Sequence, residues 1–190
     1  LGANIVAAHA ITINIDTLAF MVPLGIAQAL TILISQRLGS LNPSEARIIC
    51  ITGFKLVFSF ALVLSCLKVT LRYEFAELFS SNLKVQIIAV NLFLFSALLG
   101  LFDCFQMTCS GALRGYKEAK IPLLIQVIAF WIIVFPIAYV MSLTNWVIQP
   151  LGIYGFWIGC ISAVTLAGIG LIFRWNYVSK KAIEMHKSNL

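Results

Sequence analysis

Five apolar blocks, each long enough to cross a lipid bilayer as one helix, constrain this sequence more than any other feature. In the 190-residue sequence they cover approximately residues 5–35, 49–71, 85–113, 121–143 and 151–175. A membrane-spanning helix needs about 20 mainly apolar residues. Charged residues make up only 11% of the chain, whereas a soluble domain carries about 25% because its surface faces water. The blocks therefore predict an all-α, multi-pass membrane protein with about five transmembrane helices.

Prolines predict irregularities in two of these helices. Pro23 lies inside the first block, and Pro136 lies inside the fourth. Proline lacks a backbone N–H and clashes with the preceding turn, so an internal proline kinks or breaks a helix. We therefore expect a kink or a break near each of these residues.

The connections between the blocks differ in basic charge. Of the 13 Lys and Arg residues, ten belong to the first and third connections or follow the fifth block, counting those at block ends. The other three belong to the second connection: Lys68, Arg72 and Lys84. Short cytoplasmic loops are enriched in Lys and Arg. The pattern predicts a cytoplasmic C-terminus, with residues 176–190 as a tail, and an outside N-terminus, which leads us to expect at least one further helix upstream.

Composition and motifs argue against several other functional classes. The net charge of +6 comes from short basic clusters between apolar blocks, which is typical of a membrane face and not of a nucleic-acid interface. The sequence has no GxSxG, HExxH or Walker A pattern, so it does not resemble common enzymes. The five cysteines show no metal-ligand spacing and are expected to be buried, reduced thiols. We predict no enzyme, no cofactor and no nucleic-acid partner.

An acidic residue, Asp103, lies inside the third block. It precedes Arg114, which marks the expected cytoplasmic interface, by about 16 Å of helix, close to the middle of a hydrocarbon core of about 30 Å. Three polar residues lie within about 60° of it on a helix: Ser96, Gln106 and Ser110. A carboxylate at this depth is a functional-site hypothesis by default. We expect a cation or proton site, and the alternative is a structural aspartic acid that is protonated or hydrogen-bonded to a neighbouring helix.

A second acid, Asp16, lies deep in the first block. His9 and Thr12 share its helical face, and Asn14 lies on the other side of the helix. Asp16, with Asn14 and Ser110, is therefore a second candidate for an intramembrane polar site. The alternative is a structural acid whose hydrogen bonds come locally from His9 and Thr12.

Two lysines flank the second apolar block. They are Lys55 near its start and Lys68 near its end. A lysine at a helix end can extend its charged group to the membrane interface while its stem covers apolar surface. We expect both lysines to do so, one at each interface.

Three segments carry recognisable motifs. The first 40 residues contain AAH, then PLGIAQA, then a final LG; residues 102–122 read FDCFQMTCSGALRGYKEAKIP; and residues 151–159 read LGIYGFWIG. In this order and spacing they resemble the eighth, tenth and twelfth transmembrane segments of the multidrug and toxic compound extrusion (MATE) family, in detail its NorM-type bacterial branch. The resemblance covers essentially the whole chain, and its GALRG motif is specific.

The resemblance implies a fold and a function. This chain would supply helices eight to twelve, most of the C-terminal lobe of a twelve-helix transporter in the bacterial inner membrane. Such transporters exchange inward Na⁺ or H⁺ for outward movement of amphipathic, often cationic, small molecules. In NorM-type members the acid of the D-x-x-Q motif takes part in cation binding, and it corresponds to Asp103, with Gln106 as the motif's glutamine. Na⁺ at Asp103 is the only metal ion expected.

The chain departs from the family pattern at several points. The seventh helix, which supplies a second acid to the cation site, and the N-terminal lobe are not in this sequence, so we expect them as partners and expect the chain to be inactive alone. Leu99 stands where that branch often has an aromatic residue, and Asp16 where a small polar residue is expected. Two alternatives are a lipid-linked saccharide flippase of the same superfamily, which should show more basic residues inside its spans, and a non-transporting membrane remnant or interaction protein.

Overall fold

The computed structural model describes residues 2–144 and 149–188, and the regular structure of these residues is helical. The elements are α1 (Ala3–Gly39), α2 (Pro43–Thr70), α3 (Arg72–Phe79), α4 (Leu83–Gly115), α5 (Lys120–Val127), a π-helical segment (Ile128–Val134), α6 (Phe135–Leu143) and α7 (Ile153–Ser188). Within the described residues, five stretches are long and apolar enough to cross a membrane: α1, α2, α4, the continuous α5–α6 stretch and α7. The predicted all-α membrane class is confirmed. Position 1, residues 145–148 of the fourth connection and residues 189–190 of the predicted tail lie outside the described residues.

The predicted end of the fifth helix near residue 175 is wrong, because α7 continues to Ser188; the cytoplasmic position of residues 176–190 stays a prediction. Arg47 of α2 donates hydrogen bonds to Ser179 Oγ at 2.6 Å and to Asn176 Oδ1 at 2.8 Å. Ser179 is fully buried. The apolar block ends near Trp175, but the helix does not, because its polar continuation pairs with a neighbouring helix.

The short helix α3 was not predicted. Its Ala76 is buried in a cluster with Val85, Ala89 and Phe93 of α4, and the Phe75 and Phe93 rings lie 6.0 Å apart. α3 therefore continues the bundle beyond the end of α2, alongside α4. The end of α2 at Thr70 is consequently not the edge of the protein.

The two prolines have different effects on their helices. α1 runs from Ala3 to Gly39 with Pro23 inside it, so no break occurs there. By contrast, the fourth span changes to π-helical geometry immediately before Pro136. Pro136 has no N–H to donate to the carbonyl of Ile132, four residues earlier. In a π-helix each N–H bonds to the carbonyl five residues earlier instead of four, so the hydrogen-bond pattern is shifted by one residue.

The helices pack around α4, which contacts α1, α2, α3 and α7. One cluster of buried apolar residues joins the end of α1 to the start of α2 and the ends of α4 and α7: Leu30, Ile34, Ala46, Cys50, Leu113 and Leu171. The opposite cluster joins the starts of α1, α4 and α7: Ala8, Val85, Phe93, Ile153 and Trp157. Spans that follow one another along the chain therefore run in opposite directions, whereas α1, α4 and α7 run parallel to one another. The end that holds the first cluster also carries Arg37, Arg47, Arg114 and Arg174 and is called the basic end.

Glycines allow α1 and α4 to approach closely near the basic end. A Cβ atom on Gly111 would lie 2.4 Å from the carbonyl oxygen of Ala27, and one on Gly115 would lie 2.8 Å from Cβ of Ile34. Thr31 Oγ1 donates a hydrogen bond of 2.8 Å to the Gly111 carbonyl across the same interface. Small residues commonly permit such backbone contact between membrane helices.

Substitution of Gly111 tests this contact. Gly111→Ala is expected to destabilise the fold by about 1–3 kcal/mol, because the added methyl group meets backbone and cannot be accommodated without moving a helix. Thermal unfolding in detergent measures the effect. Gly25→Ala in α1 is the matched control, because a Cβ there meets nothing within 4 Å. Equal melting temperatures for the two variants would contradict the close packing.

Candidate cation site between α1, α2 and α4

A cavity of about 230 Å³ lies between α1, α2 and α4. Its walls are mainly apolar and include Ile13, Phe20, Ala61, Leu64 and Leu99. Three charged residues also line it, one from each helix: Asp16, Lys68 and Asp103. The cavity thus brings together both acids that the sequence singles out, together with Lys68, which the sequence predicted at a membrane interface.

Lys68 and Asp16 form an ion pair inside the bundle. Lys68 Nζ lies 2.5 Å from Asp16 Oδ1, and the two side chains are only 7% and 20% exposed. Ser96 of α4 completes the cluster, because its hydroxyl donates a hydrogen bond to Asp16 Oδ1 and accepts one from Lys68 Nζ at 3.2 Å. Removal of one charged side chain from a buried ion pair leaves the other charge uncompensated and is strongly destabilising.

The local partners expected for Asp16 are therefore wrong. Thr12 donates its hydroxyl hydrogen bond to the backbone carbonyl of Ala8, one turn earlier in α1. The His9 ring packs edge-on against Phe156 and Trp157 of α7. Both side chains have other contacts, so the carboxylate of Asp16 takes its partners from other helices.

The position expected for Lys68 is also wrong. Lys68 is 6% exposed and paired with Asp16, whereas Lys55 of the same helix is exposed. Sequence reasoning placed Lys68 at an interface because the apolar block ends three residues later. Asp16 lies about 20 Å along α1 from its start, and α3 continues the bundle past α2. The sequence did carry a signal for a buried lysine: two acids lie in apolar blocks, and a buried carboxylate calls for a positive partner.

Asp103 faces the same cavity without a partner of its own. Among residues 2–144 and 149–188 its carboxylate forms no ion pair and no side-chain hydrogen bond. It lies seven residues after Ser96 and three after Gly100 on α4, so all three share a helical face. Asp103 is the carboxylate of this cavity that remains available to a ligand.

The other predicted site residues lie elsewhere. Gln106 is buried next to α7, where a Cβ on Gly168 would lie 3.9 Å from its own Cβ, and its Oε1 has no hydrogen-bond partner within the described part of the chain. Ser110 is buried and Asn14 is exposed. None of the three lines this cavity. Cation binding by Gln106 and a polar-site role for Ser110 and Asn14 stay predictions.

The charges of the cavity do not cancel. Two carboxylates and one ammonium group leave one negative charge among apolar walls when all are ionised. An isolated ion in such surroundings is costly unless it is paired. The arrangement can therefore take one monovalent cation or one proton at Asp103.

Apolar spans around a charged internal cavity are characteristic of a polytopic membrane protein with an intramembrane ion site. The MatE family profile matches residues 1–140. The chain belongs to the MATE family.

Relatives and solved structures agree with this assignment. The chain is 34% identical to the multidrug resistance protein NorM of Aliivibrio fischeri, over 100% of this chain and 42% of the relative. It is 34% identical to the multidrug resistance protein PmpM of Pseudomonas aeruginosa, over 98% of this chain and 39% of the relative. The chain thus spans about two fifths of the length of these relatives.

The fold is that of solved MATE transporters. The structure of the eukaryotic MATE transporter AtDTX14 superposes with a TM-score of 0.83 at 19% identity, covering 96% of this chain and 41% of the other. The MATE transporter ClbM in complex with Rb⁺ superposes with a TM-score of 0.80 at 23% identity, covering 93% and 42%. The predicted family and fold class are confirmed.

Removal of the buried ammonium group tests the ion pair. Lys68→Met is expected to destabilise the fold by about 3–5 kcal/mol, because Asp16 is left without its partner. Asp16→Asn/Lys68→Met should recover most of this loss, because neither charge remains. Thermal unfolding in detergent measures both.

Lys55→Met serves as the control for loss of a lysine from α2. This exposed residue should change the melting temperature little. A Lys68→Met variant that melts like Lys55→Met would contradict a buried ion pair.

Proposed function

We propose that this chain forms most of the C-terminal lobe of a cation-coupled multidrug efflux antiporter, and that Asp103 binds the coupling ion, Na⁺ or H⁺. The observation that carries the proposal is the carboxylate of Asp103, which faces an apolar cavity and is not neutralised by a partner in the described residues. Membership of the MATE family and relatives named as multidrug resistance proteins support it.

The cavity chemistry supports a monovalent cation at Asp103 and amphipathic substrates for the whole transporter. A carboxylate in a mainly apolar cavity attracts a cation strongly, because little water screens the charge. One structural neighbour, ClbM, was solved in complex with Rb⁺, which is also a monovalent cation. Amphipathic, cationic compounds suit the same combination of one negative charge and apolar walls.

The charge distribution supports a bacterial inner-membrane location with the basic end in the cytoplasm. The positive-inside rule counts Lys and Arg in short loops. Lys68 no longer belongs to the opposite side, because it is buried in the ion pair. Only Arg72 and Lys84 then remain on that side, against nine Lys and Arg residues toward the basic end, with Lys55 midway along α2. The end of α7 at Ser188 lies at the basic end, and we therefore infer a cytoplasmic C-terminus.

A lipid-linked saccharide flippase is less well supported. Such a protein needs positive charge in its spans to hold a phosphorylated headgroup. The basic side chain that lines this cavity is Lys68, and Asp16 compensates its charge at 2.5 Å. The net negative charge of the cavity favours a cation instead.

Replacement of Asp103 tests the proposed coupling role. In a full-length transporter that carries this chain, Asp103→Asn is expected to lower cation-driven ethidium efflux at least about tenfold, because a neutral amide cannot compensate a bound cation or carry a proton. Efflux is measured in proteoliposomes under an imposed Na⁺ gradient and, separately, an imposed pH gradient.

The matched control is Glu45→Gln. Glu45 is an exposed acid that pairs with Arg37 at 3.4 Å on the basic end, and its loss should leave efflux unchanged. Intact cation-driven efflux in Asp103→Asn under both gradients would overturn the coupling role.

The chain by itself is expected to be inactive. Alternating access in transporters of this kind requires two lobes that move around a shared cavity, and this chain spans about two fifths of its relatives. Ethidium efflux should be at background in cells that make residues 1–190 alone and should appear when the remaining length is supplied. Efflux by the chain alone would contradict this expectation.

A further inference from the structure

The proposed function gives no role to Lys68, which also lines the cavity. We propose that Lys68 is a tethered cation: its ammonium group occupies Asp16 and thereby leaves Asp103 as the single vacant carboxylate for the coupling ion. The inference rests on the proposed function, because it assigns the number of cations that the Asp103 site takes. It makes Lys68 a positioning residue and Asp16 the group that restrains it.

The geometry holds Lys68 at Asp16. Its Nζ is 2.5 Å from Asp16 Oδ1 and donates to Ser96 Oγ at 3.2 Å. The Ser96 hydroxyl in turn donates to the same carboxylate oxygen. The ammonium group thus has two partners on two helices, and Asp16 has two donors.

A short path leads from this position to Asp103. A Cβ atom on Gly100 would lie 3.6 Å from Lys68 Nζ, so the ammonium group lies beside Gly100, which has no side chain in the way. Asp103 follows Gly100 by about one helical turn, and the Cα–Cβ bonds of a helix tilt toward its N-terminus. The Asp103 side chain therefore leans toward the lysine, and both line the same cavity. The bonds to Asp16 and Ser96 hold the ammonium group of Lys68 at Asp16.

The balance of charges in the cavity determines how many cations it takes. With the Asp16–Lys68 pair intact, one carboxylate is uncompensated and one monovalent cation neutralises it. Without Asp16, Lys68 becomes the counter-ion of Asp103 and competes with the coupling ion. Without Lys68, two carboxylates face the cavity and a second cation is taken up.

The test is the cation dependence of ethidium efflux by the full-length transporter in proteoliposomes, with Na⁺ and H⁺ as the probe ions. Asp16→Asn is expected to raise the KM for the driving cation at least about tenfold, since a competing positive charge at close range shifts ion affinity by that amount or more. The maximal rate per folded protein should change little, because a high cation concentration displaces the lysine. Asp16→Asn/Lys68→Met should return the KM to within about threefold of the unsubstituted value.

A purely structural ion pair gives a different result. It predicts that Asp16→Asn lowers the amount of folded protein and the maximal rate while the KM for the cation stays unchanged. That result would overturn the proposal. If Asp16→Asn does not accumulate, Lys68→Met carries the test: the efflux rate should depend on cation concentration more steeply than first order, and a first-order dependence would overturn the proposal.

Two controls separate this inference from the proposed function. Lys55→Met, at the exposed lysine of α2, should leave the KM unchanged. Asp103→Asn is run in parallel. If Asp103→Asn leaves cation dependence intact, the coupling role fails and the inference fails with it. If Asp103→Asn abolishes cation dependence but Asp16→Asn retains the original KM, only the tethered-cation inference fails.

Discussion

The Asp16–Lys68–Ser96 cluster is the interaction on which the arrangement of this bundle depends. Each member comes from a different helix, α1, α2 or α4, and the ion pair is nearly closed to solvent. A buried charge is tolerated only when it is paired with good geometry. Apolar side chains alone allow helices to slide and rotate, because lipid is as apolar as they are. The charged cluster therefore fixes the register of the three helices around the cavity.

Helix α4 makes different kinds of contact at the basic end and farther along its length. Near the basic end, Gly111 and Gly115 bring it into backbone contact with α1, so no space remains there. Farther along, Ser65 joins α2 to α4 by donating a hydrogen bond of 2.8 Å to the Ala97 carbonyl. The cavity with Asp103 begins where the glycine contacts end. Along α4, Asp103 therefore lies between the glycine contacts at Gly111 and the ion-pair cluster at Ser96.

Much of the fold could be predicted from the sequence, but less of the site. Apolar blocks are a local property, so the five spans and the position of Asp103 along α4 were accessible. The helix α3 and the polar end of α7 were missed, because their stability comes from contacts such as Arg47 with Ser179 and Asn176. Lys68 was predicted at a membrane interface because it lies near the end of an apolar block. Hydropathy locates that end in the sequence, but it does not show how deep the residue lies in the folded bundle.

The amino-acid sequence by itself determined that this chain crosses a membrane several times, that it resembles MATE transporters and that it places two acids deep in apolar helices. Those conclusions need only local composition and motifs. The tertiary structure decided which acid is paired and which is available. Asp16 and Asp103 are both carboxylates in apolar blocks, and they differ only because Lys68, distant from both in sequence, bonds to Asp16. Pair formation depends on distances between helices, and no single helix carries that information.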